Sequence, residues 1–220
     1  MIYIIGCGGV GSWLLPKLVK LIAAKSSPSG ITLIDGDTLE RKNLDRQLFD
    51  ERDIGRNKAE ALADKYGCKS IPEYFAFGDI PFGYGDVIFV AADNHAARRA
   101  ALISSDNSDG AAVIIGANEY TDAEAYIYFP DWKDTVHDPR VFYPSINTDT
   151  SGDPMRPAGC TGEAALVNPQ LGLANDSASG FMLHLYYFWS IQKTKYPEQY
   201  RPVHHKVSMM NYTTIKFGEK

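Results

Sequence analysis

The chain has 220 residues, 45% hydrophobic and 22% charged, with a formal net charge of -5. That composition is ordinary for a globular protein, and the acidic balance argues against a non-specific nucleic-acid binder, which needs a basic face. No apolar run approaches the roughly 18 residues of a membrane span, no secretory leader precedes the first apolar stretch, and three scattered cysteines (Cys7, Cys68, Cys160) suit neither a disulfide framework nor a Cys-x-x-Cys zinc site, so a reducing cytoplasm is expected.

The opening run IYII (Ile2 to Ile5) is β-branched and reads as a buried strand. GCGGVGS follows, then WLLPKLVKLIAA with helical spacing, in which Pro16 predicts a kink or a late helix start. ITLID (Ile31 to Asp35) reads as a second strand. Strand, glycine loop, helix, strand is the opening of a doubly wound nucleotide fold. RNKAEALADKYG reads as a helix stopped by Gly67, and CKSIPEYFAF as a third strand with its exit. DVIFVAAD (Asp86 to Asp93) has the continuous apolar run of a central parallel strand. NHAARRAALISS then predicts a helix, AAVIIGANEY a strand, and EAYIYFP a hairpin or edge strand. From Asp131 to Gly162 prolines fall among Asp, Ser, Thr and Gly, a long irregular segment of the kind that carries function. LGLANDSASGFMLHLYYFWSIQK returns to helical spacing, with Leu171, Ala174, Ala178, Phe181, Leu185 and Phe188 on one stripe, and HHKVSMMNYTTIKF reads as a terminal strand or pair. The expectation is one α/β domain over 1–220, a Rossmann-like, doubly wound, mostly parallel sheet with helices on both faces.

Gly6, Gly8 and Gly11 satisfy Gly-x-Gly-x-x-Gly between a strand and a helix. That arrangement brings backbone amides and a helix N-terminus to a phosphate, without distinguishing NAD, FAD, S-adenosylmethionine or ATP. Asp35, ending the second strand, is placed to accept hydrogen bonds from ribose hydroxyls, with Asp37 beside it as a turn or cap residue. Asn43, Arg46 and Lys58 follow. Arginine reaches phosphate oxygens as a planar fork and lysine as a point charge. On spacing alone, a solvated loop that also carries Arg41, Lys42 and Arg52 explains them equally well.

Taken together, GCGGVGS, LIDGDTLERKNLDRQLF, DIGRNKAEA and VAADNHAARRA resemble the ThiF/MoeB/HesA family, bacterial relatives of the ubiquitin-activating enzymes. The matching motifs run from Ile2 to about Arg99. The second half is closest to the short ThiF-like branch. The resemblance implies a doubly wound α/β domain that adenylates the C-terminal glycine carboxylate of a ubiquitin-like or sulfur-carrier protein, with ATP and Mg²⁺ as cofactors and a homodimer as the working state. By position it places Gly8 and Gly9 in the phosphate loop, Asp35 on the ribose, and Asn43, Arg46 and Lys58 toward the phosphates, with Gln47 among the cofactor-binding residues. Asp93 becomes the Mg²⁺ ligand, with Asn94 beside it; a plain alternative makes Asp93 the cap of the following helix. Arg46, Lys58 and the metal would neutralise charge in the transition state.

Cys160, in RPAGCTGEAA at the end of the irregular segment, corresponds to the crossover-loop cysteine that forms a thioester in some members; an inert thiol is the alternative. Cys7 is expected to pack. Glu163 and Asn175 either face the site from the later helix or serve as caps, and His95 reads as a helix-surface residue. The Cys-x-x-Cys pairs of many members are missing, so no zinc is expected. The chain starts at its first strand, so the arginine that family members often carry on an N-terminal arm is expected to be absent or to come from elsewhere. An NAD(P)-dependent oxidoreductase explains the glycines and Asp35 but leaves Asn43, Arg46, Lys58 and Asp93 without a role. A non-catalytic nucleotide-binding subunit is the other alternative.

Overall fold

The computed structural model describes residues 1–23, 27–118, 122–150, 172–191, 202–208 and 213–217. At its centre β1 (Ile2–Ile5) lies between β2 (Ile31–Ile34) and β4 (Val87–Val90), parallel to both, with Ile2 opposite Ile31 and Val87. β2 and β4 are buried at every position, as strands covered on both faces must be. β3 (Lys69–Ile71) extends the parallel sheet beyond β2, and β5 (Ala112–Asn118) extends it beyond β4. β6 (Asp122–Tyr128), β7 (Pro202–Ser208) and β8 (Thr213–Phe217) then continue it antiparallel. The order β3-β2-β1-β4-β5-β6-β7-β8 reverses direction at β1/β4, the switch point where such sheets open a crevice at their carboxyl ends. The expected doubly wound α/β class is the observed one, and the terminal pair is present.

Alternate residues of each strand feed two cores. Ile4, Leu33 and Phe89 pack with α1 (Gly9–Ile22), α2 (Lys58–Tyr66) and the later helix α6 (Gly172–Tyr186). Ile5, Ile34 and Val90 pack on the opposite face with α3 (His95–Asp106). Leu14, Leu15 and Leu18 of α1 have no exposed area, so truncating any one removes about 2–5 kcal/mol. α1 and α6 are also tied by Lys17, which pairs with Asp176 and donates to Ser179 Oγ at 2.7 Å.

Several local expectations need correction. α1 starts at Gly9 and runs through Pro16 rather than starting late; the absent proline N–H forfeits only the bond to the Ser12 carbonyl, and three buried leucines offset it. EAYIYFP takes the hairpin alternative, antiparallel to β5, and not the edge one, because β7 pairs with β6 on its other side. EYFAF leaves the third strand after Ile71 and forms loop. The buried face of α6 is Ala174, Asn175, Ala178, Ser179, Met182 and Leu185, so Phe181 and Phe188 sit at its margin, half-buried. Up to residue 150 the irregular segment contains two short helices, α4 (Pro139–Phe142) and α5 (Ser145–Thr148). Arg140 fastens this stretch to the sheet, bonding Asp106 at 2.6 Å, Asp138 at 2.9 Å and the Tyr128 hydroxyl at 2.8 Å.

Candidate active site

A cleft of about 720 Å³ opens at the carboxyl ends of β1, β2 and β4. Its floor is the start of α1. Gly8 occupies the cap position without a capping side chain, so the first-turn amides of α1 keep their hydrogen-bonding capacity for a ligand. Uncapped amides and the positive end of the helix dipole make an anion site.

Asp35 directly follows β2 and is buried. Its Oδ2 accepts from the Cys7 amide at 2.6 Å and its Oδ1 from the Asp37 amide at 2.7 Å, which binds the phosphate loop to the β2 exit. Burial lifts the Asp35 carboxyl above its ordinary value, opposed by these two hydrogen bonds. Cys7 is buried beside it; desolvation and the Asp35 charge push the thiol well up, which suits the packing role expected of it. Burial pushes Cys68 up to about 11. Neither is a thiolate nucleophile at neutral pH.

Lys58 is the first residue of α2 and is almost wholly buried. The helix start is stitched to the Asp35–Thr38 loop: Asn57 Nδ2 donates to the Asp35 carbonyl at 2.7 Å and the Lys58 amide to the Asp37 carbonyl at 2.9 Å. The Lys58 ammonium therefore reaches into the cleft, where it meets Asp37 Oδ2 at 2.8 Å. The other Asp37 oxygen accepts from the Tyr74 hydroxyl at 2.7 Å. Burial alone would raise the Asp37 carboxyl, but hydrogen bonds from Lys58 and Tyr74 and the lysine's charge hold it below the usual range. The same hydrogen bond to Asp37, with some burial, pushes the Tyr74 phenol up to about 12.

Arg46 and Gln47 sit on the loop after β2. Their amides both bond to the Asn43 carbonyl, at 3.2 and 3.0 Å, and the buried Asn43 carboxamide accepts from the Glu40 amide at 3.0 Å. Asn43 thus shapes the turn that aims Arg46. The Leu48 amide donates to Ser12 Oγ at 3.1 Å, locking this loop to α1. Gln47 is buried against the phosphate loop, and its Oε1 is buried with no hydrogen-bond partner among the described residues. A ligand hydroxyl would satisfy it.

Asp93 follows β4 at the cleft wall and is exposed. The helix cap goes to Asn94, whose Oδ1 accepts from the Ala97 amide at 2.8 Å, so the alternative reading of Asp93 as the cap is corrected. Among the described residues no group of three or more His, Cys, Asp or Glu side chains could hold a metal. A magnesium ion here would rest on one carboxylate plus ligand oxygens, which is how magnesium usually sits in phosphate sites. His95 is mostly buried rather than on the surface, and its Nε2 is 4.0 Å from Asp149; burial, then Arg98, lowers its pKa.

Gly6, Gly8, Gly9, Asp35, Asp37, Asn43, Arg46, Gln47, Lys58, Asp93 and Asn94 all border this one cleft, with Gly11 just behind it. Cys160 and Glu163 lie outside the described residues. Missed from sequence are Tyr74, Phe75 and Phe77, an aromatic wall on the β3 side, and Asn118 at the end of β5. The aromatic run EYFAF is visible in the sequence, where it reads only as part of the third strand and its exit.

Residues 1–67 match the model of the ThiF family. Over that stretch the chain is similar to the ThiF family. A stretch covering 44% of it is 32% identical over 111 residues to human ubiquitin-like modifier-activating enzyme 7, of which it spans 11%. The fold is similar to the crystal structure of PaaA (TM-score 0.63, 18% identity, 98% of this chain and 63% of that one). It is also similar to E. coli MccB with ATP (TM-score 0.62, 19% identity, 98% and 63%). The matched residues carry β1, the phosphate loop, α1, β2 and α2, the elements that build most of the cleft.

Proposed function

We propose that the cleft binds ATP with Mg²⁺ and that the chain adenylates a terminal carboxylate, the C-terminal glycine of a ubiquitin-like or sulfur-carrier protein. One observation carries this reading: a single cleft holds an uncapped helix start, a ribose-type carboxylate, the cationic side chains of Arg46 and Lys58 and a carboxylate at the end of β4. Its volume suits a nucleotide. A dinucleotide dehydrogenase would leave Lys58, Arg46 and Asp93 idle. The family and the ubiquitin-activating relative support activation of a carboxylate. MccB has been solved with ATP and with AMPCPP and MccA, which supports a nucleotide and a partner molecule at this fold.

In this reading α1 amides and Lys58 hold the phosphates, Asp35 and Gln47 the ribose, and Tyr74 and Phe77 flank the base. Magnesium, held by Asp93, supplies charge neutralisation on phosphate oxygens. The acceptor carboxylate attacks the α-phosphorus; that P–O bond forms as the bond to pyrophosphate breaks. No general base is needed, because the carboxylate is ionised at neutral pH. Arg46 and Lys58 stabilise the growing charge. A homodimer and a thioester on Cys160 belong to the same proposal.

ATP–pyrophosphate exchange with carrier proteins ending in glycine tests it, alongside thermal shifts with MgATP and with NAD. MgATP should stabilise the protein and NAD should not; stabilisation by NAD alone overturns the reading. Asp93→Asn should raise the Mg²⁺ concentration for half-maximal exchange about tenfold or more; an unchanged magnesium curve removes Asp93 from the metal site. Cys160→Ala should leave exchange at the parent rate and abolish any acceptor thioester that survives denaturing gels under non-reducing conditions. Loss of exchange in that variant would place Cys160 in the adenylation step instead.

A further inference from the structure

Asn175, on α6, has no exposed area. Both ends of its carboxamide are engaged: Oδ1 accepts from Asn118 Nδ2 at 3.0 Å, and Nδ2 donates to the Arg46 carbonyl at 3.0 Å. A carbonyl only accepts, so the Arg46 carbonyl gives the amide one workable orientation, and the Asn118 amide meets its oxygen from the other end. Between these bonds the amide lies flush with the phosphate loop. A Cβ on Gly9 would fall 2.5 Å from Asn175 Oδ1, so this approach requires glycine. One side chain therefore touches the end of β5, the start of α1 and the loop that carries Arg46. Trp13 Nε1 donates to the same Arg46 carbonyl at 3.1 Å, so two donors from different helices meet at one backbone atom.

We infer that Asn175 is a positioning residue, setting the Arg46–Leu48 segment against the phosphate loop. Leucine has the same branched skeleton of heavy atoms but neither donor nor acceptor, so packing alone does not call for an amide here. A buried amide is retained at the expense of its desolvation, and that expense is recovered only while both hydrogen bonds are made. Asn175 does not itself border the cleft; it acts through Arg46 and Gly9. The functional consequence rests on the proposed nucleotide reading, whereas the positioning of the segment does not.

Asn175→Asp keeps the shape and sets an acceptor against the Arg46 carbonyl. Hydrogen–deuterium exchange should then quicken about tenfold or more at the Arg46, Gln47 and Leu48 amides, with Val87–Val90 unchanged. The dissociation constant for MgATP should rise about tenfold. Met182→Ala, a cavity in the same helix (Met182 is equally buried), should lower the melting temperature without quickening Arg46–Leu48. Asn118→Ala, which removes only the orienting donor, should shift exchange the same way by a smaller factor and serves if Asn175→Asp does not fold. Parent-like exchange at Arg46–Leu48 in both Asn175→Asp and Asn118→Ala overturns the inference, as does equal loosening in Met182→Ala. A parent protein that fails to bind MgATP while the exchange difference persists sinks the nucleotide reading and upholds the positioning role.

Discussion

Lys58→Met is expected to lower ATP–pyrophosphate exchange by about 10²–10³-fold while leaving the fold intact. Methionine retains the length and apolar stem of a side chain that is almost wholly buried at the start of α2. Only the charge is lost, and with it the cation placed deepest beside the phosphate loop. The partner left behind, Asp37, is half-exposed, so its orphaned charge finds water and the stability penalty stays small. The same variant carries a pH signature. In the parent, Lys58 and Tyr74 hold the Asp37 carboxyl below its unfolded value, so the native state releases that proton first. The resulting stability is complete above the unfolded carboxylate pKa of about 3.9 and drains away as pH falls through the depressed native value. In Lys58→Met that drain shrinks, so urea midpoints measured from pH 5 to pH 2 should fall less steeply. Exchange within threefold of the parent, with the flattened pH curve present, would show that Lys58 serves Asp37 and not a phosphate.

Asp37 also suggests what happens when an anion arrives. Lys58 has a carboxylate partner in the absence of ligand, which lowers the cost of keeping a lysine buried. A triphosphate offers the ammonium a stronger partner, and Tyr74 is already placed to hold Asp37 as the lysine turns away. The pair is thus compatible with a cation kept ready inside the cleft.

The parts of the site legible in sequence are those whose spacing is local. Strand, Gly-x-Gly-x-x-Gly and helix occupy consecutive residues, and Asp35 ends an uninterrupted apolar run, so their meeting at the sheet's carboxyl edge follows from topology. Lys58 was legible as a cation, but its pairing with Asp37 was not, because the pairing depends on how Asn57 stitches α2 to the β2 exit. Asn175 is separated from Arg46 by 129 positions. No periodicity encodes that meeting, and from sequence Asn175 reads as facing the site or as a cap with nothing to decide between them. Tyr74 and Phe77 were hidden for a different reason: aromatic residues in the exit of a strand carry no spacing that marks them as a cleft wall. The start of α1 was obscured by Pro16, which reads as a late helix start but is carried inside the helix.

Gly11→Ala tests the start of α1 most severely. Gly11 is the third residue of α1, and a Cβ there would fall 2.0 Å from the Gly6 carbonyl oxygen and 3.5 Å from the Ala91 side chain. The oxygen has little room to retreat: Gly6 is at φ +89°, its amide donates to the Ile34 carbonyl at 2.9 Å, and Ala92 backbone crowds its other side. The helix must move instead, pulling Leu14, Leu15 and Leu18 off the sheet and carrying its uncapped amides away from the cleft. The expected loss is about 3 kcal/mol, or roughly 6–12 °C in melting temperature for a chain of this size, with MgATP stabilisation abolished. Gly180→Ala is the matched control. Gly180 lies inside α6 with nothing within 4 Å of its would-be Cβ, so there alanine should be neutral or stabilise by about 0.5–1 kcal/mol. The same chemical change then has opposite signs at two helical glycines, and what separates them is the carbonyl of Gly6. If Gly11→Ala melted with the parent and still bound MgATP, α1 would have a freedom against β1 that the phosphate loop cannot have and remain a phosphate loop.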